Sequence, residues 1–339
     1  MKRYILGGAL GLAVALAAGA QSATILLNGA GATFPFPIYS KWFDVYGHKH
    51  PSVQINYQSL GSGAGIRQVI AGTVDFGASD GPMKDDQISQ VQGGVLHFPT
   101  VLGSVVPIYN IPGVAAELNF TQAALVGIYL DKIKQWNDPE IAKANPGVKL
   151  PAQDIIVVHR ADGSGTTYIW VDFLCKASKE WETTVGRDVS VKWPTGLGGK
   201  GNEGVAGLVK QTPYAIGYVE LIYALQNNLS YGKVQNHDGV FVKADLAATT
   251  AAAAGAAKSM PEDFRVSITN APGKTSYPIS SFTWLLIPTT ISDAAKRNAL
   301  IDFLNWMLVD GQTFADGLGY APLPKEVVKQ EQKAISKIH

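Results

Sequence analysis

The chain has 339 residues, 46% of them hydrophobic, and carries 28 Lys and Arg against 27 Asp and Glu. This near-neutral balance gives no support for binding to nucleic acid or adsorption to an acidic membrane surface, and the apolar content is enough to build a core over two domains. The single cysteine, Cys175, excludes an intramolecular disulfide, and we expect it to be a buried structural thiol.

Residues 1–20 have the pattern of a secretory signal peptide. Lys2 and Arg3 precede an apolar run from Tyr4 to Ala17, and the small residues Ala18-Gly19-Ala20 follow. The run is too short to span a bilayer comfortably, which disfavours a retained membrane anchor. No cysteine lies at the cleavage region, so we expect a cleaved leader and no lipid anchor.

Strands and helices alternate after this segment, which predicts an α/β architecture. Pro35 opens a predicted helix whose aromatic stripe we expect to be core. Val53 to Tyr57 alternate as in a half-buried strand, and Val74 to Ser79 predict a second strand that ends at Asp80. Ligands of open α/β sheets bind at the carboxyl ends of the strands, so we expect Asp80 to lie at the ligand crevice.

Two extended, proline-punctuated segments, residues 97–112 and 278–288, bracket a middle block of the chain. We expect them to supply the two strands of a hinge. The N-terminal block and the C-terminal helices then build lobe I, residues 21–107 and 277–339, and the middle block builds lobe II, residues 108–276. Within the middle block, Leu125 to Trp136 predict one amphipathic helix and Ile155 to His159 a strand, while near the C-terminus Ser292 is the predicted cap of a helix that stops at Gly311.

Three short turns rich in glycine, serine and threonine each stand directly before a predicted helix. They are Gly29-Ala30-Gly31-Ala32-Thr33-Phe34, Gly61-Ser62-Gly63-Ala64-Gly65 and Asp162-Gly163-Ser164-Gly165-Thr166. The first amides of a helix have no intrahelical acceptor and carry partial positive charge, so such ends bind anions. Each turn taken singly is equally well explained as a structural turn, but three together predict one convergent oxyanion site.

Four segments resemble the high-affinity phosphate-binding proteins of bacterial ABC importers. They are the first turn with Pro35, the run from Thr73 to Asp80, the run from Arg160 to Thr166, and the run from Gly196 to Asn202. The resemblance covers nearly the whole chain after the leader. It implies a two-lobed type II periplasmic-binding-protein fold, in which each lobe is a mainly parallel sheet flanked by helices and a two-strand hinge joins the lobes.

The resemblance also implies the binding residues. Its phosphate ligands correspond to Thr33, Phe34, Ser62, Asp80, Arg160, Ser164, Gly165 and Thr166. Asp162 resembles the carboxylate that holds the arginine in place. The sequence departs from the family just outside these positions, with Gly81 after Asp80, His159 before Arg160 and Gly63-Ala64 after Ser62, so the predicted ligand shell is intact.

Asp80 is the unusual member of this set, because a carboxylate is expected to repel an anion. Phosphate keeps a P–OH near neutral pH and donates it to an acceptor, whereas sulfate has no proton to donate. A carboxylate facing sulfate would leave two acceptors unpaired in a dry site, at a cost of several kcal/mol. We therefore expect Asp80 to select phosphate by rejecting sulfate.

Two other functions compete with phosphate transport. An exported phosphatase or phosphotransferase would use Ser62, Ser164 or Asp80 as nucleophile, but the sequence has no Gly-x-Ser-x-Gly elbow and no metal-ligand cluster. A second alternative is the same fold with sulfate, molybdate or a phosphonate as its ligand. We expect no catalytic residue, no metal and no cofactor. We expect a periplasmic monomer. Its expected partners are inorganic phosphate and the membrane permease subunits of a phosphate ABC transporter.

Overall fold

The computed structural model describes residues 24–339, so the predicted signal peptide, residues 1–20, lies outside the described residues. Within them the chain forms twelve strands and twelve α-helices. The strands are β1 (Ile25–Gly31), β2 (Val53–Ser59), β3 (Phe76–Ser79), β4 (Val95–Asn110), β5 (Asn119–Phe120), β6 (Ile156–Arg160), β7 (Leu197–Gly199), β8 (Ala215–Glu220), β9 (Ser230–Tyr231), β10 (Lys233–Gln235), β11 (Phe241–Val242) and β12 (Ser280–Pro288). The helices are α1 (Phe36–Lys49), α2 (Ser62–Ile70), α3 (Asp85–Ile88), α4 (Gln122–Tyr129), α5 (Pro139–Ala144), α6 (Gly165–Ala177), α7 (Lys179–Thr184), α8 (Gly201–Gln211), α9 (Leu221–Gln226), α10 (Leu246–Lys258), α11 (Ala294–Val309) and α12 (Lys325–Ala334).

The main sheet is mixed, with parallel pairs on both sides of two antiparallel central strands. Its order is β2-β1-β3-β12-β4-β8-β6-β7, and β9 also pairs with β4. β1 is parallel to β2 and β3, and β6 is parallel to β7 and β8. The central strands β12 and β4 run antiparallel to their neighbours. The predicted α/β class and type II architecture agree with this topology.

Strand β4 joins two halves of the sheet. Its residues 95–104 pair with β12, and its residues 105–110 pair with β8. We call β1, β2, β3, β12 and residues 95–104 the first half-sheet, and residues 105–110 with β8, β6 and β7 the second half-sheet. Because β12 pairs along its whole length with residues 95–104, Phe282 to Ile287 lie inside the first half-sheet. The chain crosses back to the first half-sheet just before β12, and there the Tyr277 hydroxyl donates to the carbonyl of Val105, the first residue of the second half-sheet, at 2.9 Å.

The aromatic stripe of α1 is core, as predicted. Tyr39, Trp42 and Tyr46 are almost fully buried. The Tyr46 ring meets Phe303 of α11 edge-on with the ring centroids 5.2 Å apart, and Trp42 Nε1 donates to the Gly311 carbonyl at 2.7 Å. The Trp42 ring thus buries its apolar surface while its polar atom finds a partner, and these contacts pack α1 against the segment of α11 and Gly311.

Two predicted helix boundaries are wrong. Helix α4 ends at Tyr129, because Asp131 takes a left-handed φ of 60° and the amides of Lys132 and Ile133 turn back to the Gly127 carbonyl. Trp136 therefore lies beyond the helix, although it is fully buried. Helix α11 is capped by Asp293, one residue after the predicted Ser292, and the Asp293 carboxylate accepts the amides of the first turn.

No helix within residues 24–339 combines the length and apolar character needed to cross a membrane.

Candidate functional site

The first half-sheet places polar groups where its three parallel strands end. Thr33 and Phe34 follow β1, Ser62 begins α2 after β2, and Asp80 follows β3. All four residues are buried, with Asp80 only 1% exposed. The carboxyl ends of parallel strands meet at one edge of a sheet, which is why segments distant in the sequence bring these groups together.

The second half-sheet presents its groups in the same way. Arg160 ends β6, Ser164 is the N-cap of α6 and Gly165 is the first residue of that helix. The Ser164 hydroxyl accepts the Thr167 amide at 3.0 Å. Because helix α6 begins here, its first amides have no intrahelical acceptor, and this buried end of the helix favours negative charge.

Arg160 is a buried cation whose orientation is fixed by Asp162. Its Nε and Nη2 donate to the two carboxylate oxygens at 2.8 and 2.5 Å, and its Nη1 donates to Thr166 Oγ1 at 3.3 Å. Burial alone raises the pKa of Asp162, but the Arg160 bonds and charge, with the Gly201 amide at 3.0 Å, hold that pKa below its usual value. Asp162 therefore stays ionised, and Arg160 keeps one edge of its guanidinium for other partners.

Asp80 is held at the centre of the site. Its Oδ1 accepts the Thr283 hydroxyl at 2.7 Å, and its backbone amide donates to Ser62 Oγ at 3.2 Å. Burial raises the pKa of Asp80 to about 7, although the Thr283 bond and the Arg160 charge lower it. The side chain thus titrates near neutral pH in the absence of a ligand.

The two halves meet closely at glycines. A methyl group on Gly165 would overlap both Asp80 Oδ2 and Ser62 Oγ. The Gly63 amide donates to the Gly163 carbonyl at 2.9 Å, which joins the turn before α6 to the first turn of α2. Glycine is needed at 165 because the other half-sheet approaches its α-carbon. The structure therefore brings all eight predicted ligands and Asp162 into one buried junction between the half-sheets.

Two polar residues of this junction were not predicted. Thr283 of β12 supports Asp80, and Asn202 of α8 donates to both Thr33 and Thr166. Thr283 stands inside an apolar strand, where the sequence offers no sign of a buried acceptor beside it. Asn202 is the last residue of the fourth glycine-rich motif. Its position in the first turn of a helix that follows β7 was the sequence feature that could have indicated a role at the junction.

The junction offers many neutral donors, the carboxyl group of Asp80 and an arginine paired with Asp162, which suits a tetrahedral oxyanion held by hydrogen bonds. It does not resemble a metal site. Within residues 24–339, no group of three or more His, Cys, Asp or Glu side chains is placed to hold a metal ion.

Comparison with known proteins agrees with this architecture. A model of the PBP superfamily domain matches residues 18–310. The phosphate-binding protein PstS of Pasteurella multocida is 46% identical over 332 residues, covering 98% of this chain and 94% of its own length. The PstS of Xylella fastidiosa strain Temecula1 is 45% identical, covering 91% and 85%. A crystal structure of a phosphate-binding protein from Stenotrophomonas maltophilia superposes with a TM-score of 0.70 at 19% identity, covering 91% of this chain and 94% of that one, and so shares the fold.

These matches define the protein first as a member of a class, the bilobal binding proteins of the PBP superfamily. The chain belongs, within that superfamily, to the family of phosphate-binding proteins named PstS. The resemblance predicted from the four sequence motifs is therefore confirmed.

Proposed function

We propose that the protein captures inorganic phosphate between its two half-sheets and delivers it to the permease of an ABC transporter. The observation that carries this proposal is the buried junction in which hydroxyls, helix amides and Arg160 surround the carboxyl group of Asp80. The PstS relatives at 46% and 45% identity are named for the same ligand.

The donors divide by type. We assign phosphate oxygens to the hydroxyls of Thr33, Ser62, Ser164 and Thr166, to the amides of Thr33, Phe34, Gly165 and Thr166, and to the guanidinium of Arg160. Hydrogen bonds to an ionised acceptor are shorter and about twice as strong as neutral ones, so this shell balances a dianion without a cluster of lysines. Asp162 holds Arg160 in register and does not contact the ligand.

Asp80 supplies selectivity in this proposal. Its pKa of about 7 reflects burial, and a bound ligand that carries a proton satisfies the carboxylate without further desolvation. Hydrogen phosphate can donate its P–OH to Asp80 Oδ2, because Oδ1 accepts the Thr283 hydroxyl at 2.7 Å and Oδ2 accepts only a long hydrogen bond from the Ser62 hydroxyl, at 3.5 Å. Sulfate cannot donate, so it would leave the carboxylate unpaired beside an anion.

Capture in a buried site requires the halves to separate. We propose lobes of residues 21–107 with 277–339 and of residues 108–276, which move about residues 104–107, where β4 leaves β12 and pairs with β8. Small-angle scattering of ligand-free and phosphate-saturated protein tests this motion, and we expect a smaller radius of gyration with phosphate. Identical profiles would contradict it.

We further propose that the protein acts without turnover, as a monomer outside the cytoplasm after its leader is removed. Delivery then requires only contact with the permease subunits and reopening of the lobes. Hydrolysis of a phosphate ester by the purified protein, reduced in step with phosphate affinity by substitution at Ser62 or Ser164, would instead favour an exported phosphatase.

Calorimetric titration of the purified protein without its leader tests the ligand. We expect heat with phosphate and with its close analogue arsenate, and none with sulfate at the same concentration. Sulfate binding that matches phosphate, or no heat with phosphate from a protein shown to be ligand-free and folded, would overturn the proposal.

A further inference from the structure

Asn202 connects the two half-sheets through one side-chain amide. Its Nδ2 donates to Thr33 Oγ1 at 2.7 Å and to Thr166 Oγ1 at 3.1 Å. Thr33 follows β1 of the first half-sheet, whereas Thr166 and Asn202 lie in α6 and α8 beside the second. The Asn202 side chain is fully buried, so these bonds are not shared with bulk water.

The orientation of this amide is fixed by a third bond. Asn202 Oδ1 accepts the backbone amide of Glu220 at 3.0 Å. A backbone N–H only donates, so the oxygen of Asn202 must face it and the NH₂ group must face the two threonines. Glu220 is held in β8, opposite Val105 of β4, which keeps that amide in place.

This orientation determines what the two hydroxyls can do. A hydroxyl has one hydrogen to donate and two acceptor positions. Thr33 Oγ1 accepts both the side-chain NH₂ and the backbone amide of Asn202, the latter at 3.3 Å. Thr166 Oγ1 accepts Asn202 Nδ2 and Arg160 Nη1. Each oxygen has its acceptor positions filled, so each threonine is left with a hydrogen to give.

We propose that Asn202 is a positioning residue that turns the Thr33 and Thr166 hydroxyls into donors toward the anion, an inference that rests on the proposed phosphate function. With Asn202 in place, neither hydroxyl can accept a hydrogen bond from the ligand. Two of the hydroxyls are thereby removed as acceptors for the ligand's own P–OH, which favours its bond to the carboxyl group of Asp80. Asn202 sets the orientation of the bound anion without contacting it.

A double-mutant cycle on phosphate affinity tests this role. We expect Asn202→Ala to weaken phosphate binding about ten- to hundredfold, the range for one or two hydrogen bonds to a charged group. In a Thr33→Val, Thr166→Val background the same substitution should weaken binding less than about threefold further, because the hydroxyls on which Asn202 acts are gone. Equal losses in both backgrounds would show that Asn202 acts only on the fold and would overturn the inference.

Asn236 provides a matched control. It is buried like Asn202, but its amide holds only backbone groups, including the Gly273 carbonyl at 2.9 Å and the Val240 amide at 3.0 Å. Asn236→Ala should lower the melting temperature and leave the phosphate Kd within about twofold, because the residue does not touch the junction.

If the Asn202→Ala variant does not fold, Asn202→Asp provides the same test of phosphate affinity. Aspartate keeps the volume and the acceptor for the Glu220 amide but offers no hydrogen to either threonine, so we expect a loss at least as large. A parent protein that binds phosphate while both Asn202 variants stay within threefold of it would overturn this inference alone. A folded, ligand-free parent that binds no phosphate would overturn the proposed function as well.

Discussion

The two half-sheets bring opposite chemistry to the junction between them. The first supplies the carboxyl group of Asp80 with the neutral groups of Thr33, Phe34 and Ser62, and the second supplies Arg160 and the N-terminal end of α6. The first half-sheet alone would repel a fully deprotonated anion, and the second half-sheet alone would bind almost any small anion. With the ligand shell proposed above, we expect affinity to come mainly from the second half-sheet and selectivity from the first.

The largest effect on affinity should follow Arg160→Ala. The substitution removes the charge that the second half-sheet contributes and leaves Asp162 without its bidentate partner. Truncating one partner of a buried charge pair costs about 2–5 kcal/mol, and we expect phosphate binding to weaken by that amount. Calorimetric titration measures the loss, and neutral donors should keep the residual binding specific for phosphate.

Arg297→Ala is the control for this variant. Arg297 donates to the Ile291 carbonyl at 3.1 Å, away from the junction. Its removal should leave the phosphate Kd unchanged. Unchanged affinity in the Arg160 variant would assign binding to the helix amides and hydroxyls alone.

Gly165→Ala should weaken binding next most strongly, because it prevents the two sides from meeting. The added methyl group would overlap Asp80 and Ser62. Overpacking of this kind costs about 1–3 kcal/mol, whereas alanine within a helix is itself favourable. We therefore expect an unaltered melting temperature without ligand and a phosphate Kd raised about ten- to hundredfold.

Gly207→Ala in α8 makes the same chemical change in open space, where a methyl group would meet no atom within 4 Å. Its phosphate affinity should equal that of the parent. Equal affinities for both alanine variants would mean that the half-sheets need not approach as closely at Gly165 as they do here.

Asp80→Asn should change selectivity more than affinity. The amide can turn its NH₂ toward an oxygen without a proton, so phosphate affinity should stay within about tenfold, roughly 1.4 kcal/mol, while sulfate gains. Competition of sulfate against labelled phosphate measures both. If the variant rejects sulfate as strongly as the parent, selectivity does not reside in the first half-sheet.

The same variant should also reveal a pH-dependent cost of the carboxyl group. The pKa of Asp80 is about 7 in the folded chain against 3.8 for the ordinary side chain, so the folded state holds an extra proton between these values. The contribution of Asp80 to the free energy of unfolding of the ligand-free parent is therefore largest below about pH 4. It decreases as the pH rises from about 4 to about 7 and is constant above that. The melting temperature of Asp80→Asn relative to the parent should therefore rise over this range and level off above it. A constant difference would mean that Asp80 has an ordinary pKa.

The smallest effect should come from Lys84→Ala. Lys84 pairs with Asp188 across the junction at 2.6 Å, but both side chains are largely exposed. Exposed pairs contribute about 0–1 kcal/mol and are screened by salt. Titrations at low and high ionic strength should show a change in Kd below about fivefold that disappears at high salt. A larger, salt-independent loss would place a major part of the affinity outside the buried groups.

The sequence predicted those parts of the junction that depend on local chain signals. Asp80, Arg160 and Ser164 each lie at or after a strand end and within a glycine-rich or polar turn, so their position followed from the pattern of elements. The α/β class and the extended segment that became β4 followed from the same pattern.

The remaining features depend on contacts between distant segments. Thr283 meets Asp80 across 203 residues, and Asn202 meets Thr33 across 169. Neither residue carries a local signal of its partner. The end of α4 was missed for a different reason, because the apolar spacing continues to Trp136 while the left-handed backbone at Asp131 stops the helix.

The central place of β12 in the main sheet has a consequence for how a newly made chain folds. β12 lies between β3 and β4, yet it begins only at Ser280, and Lys296 of the helix that follows it pairs with Asp75 beside β3 at 2.9 Å. Until those residues have been synthesised, β3 and β4 have unpaired edges and the first half-sheet is incomplete. Folding of this half must therefore wait for pairings of high sequence separation, which are slow to form. The first half-sheet of a newly made chain therefore stays open until synthesis is nearly finished, whereas all strands of the second half-sheet have been made once Glu220 is added.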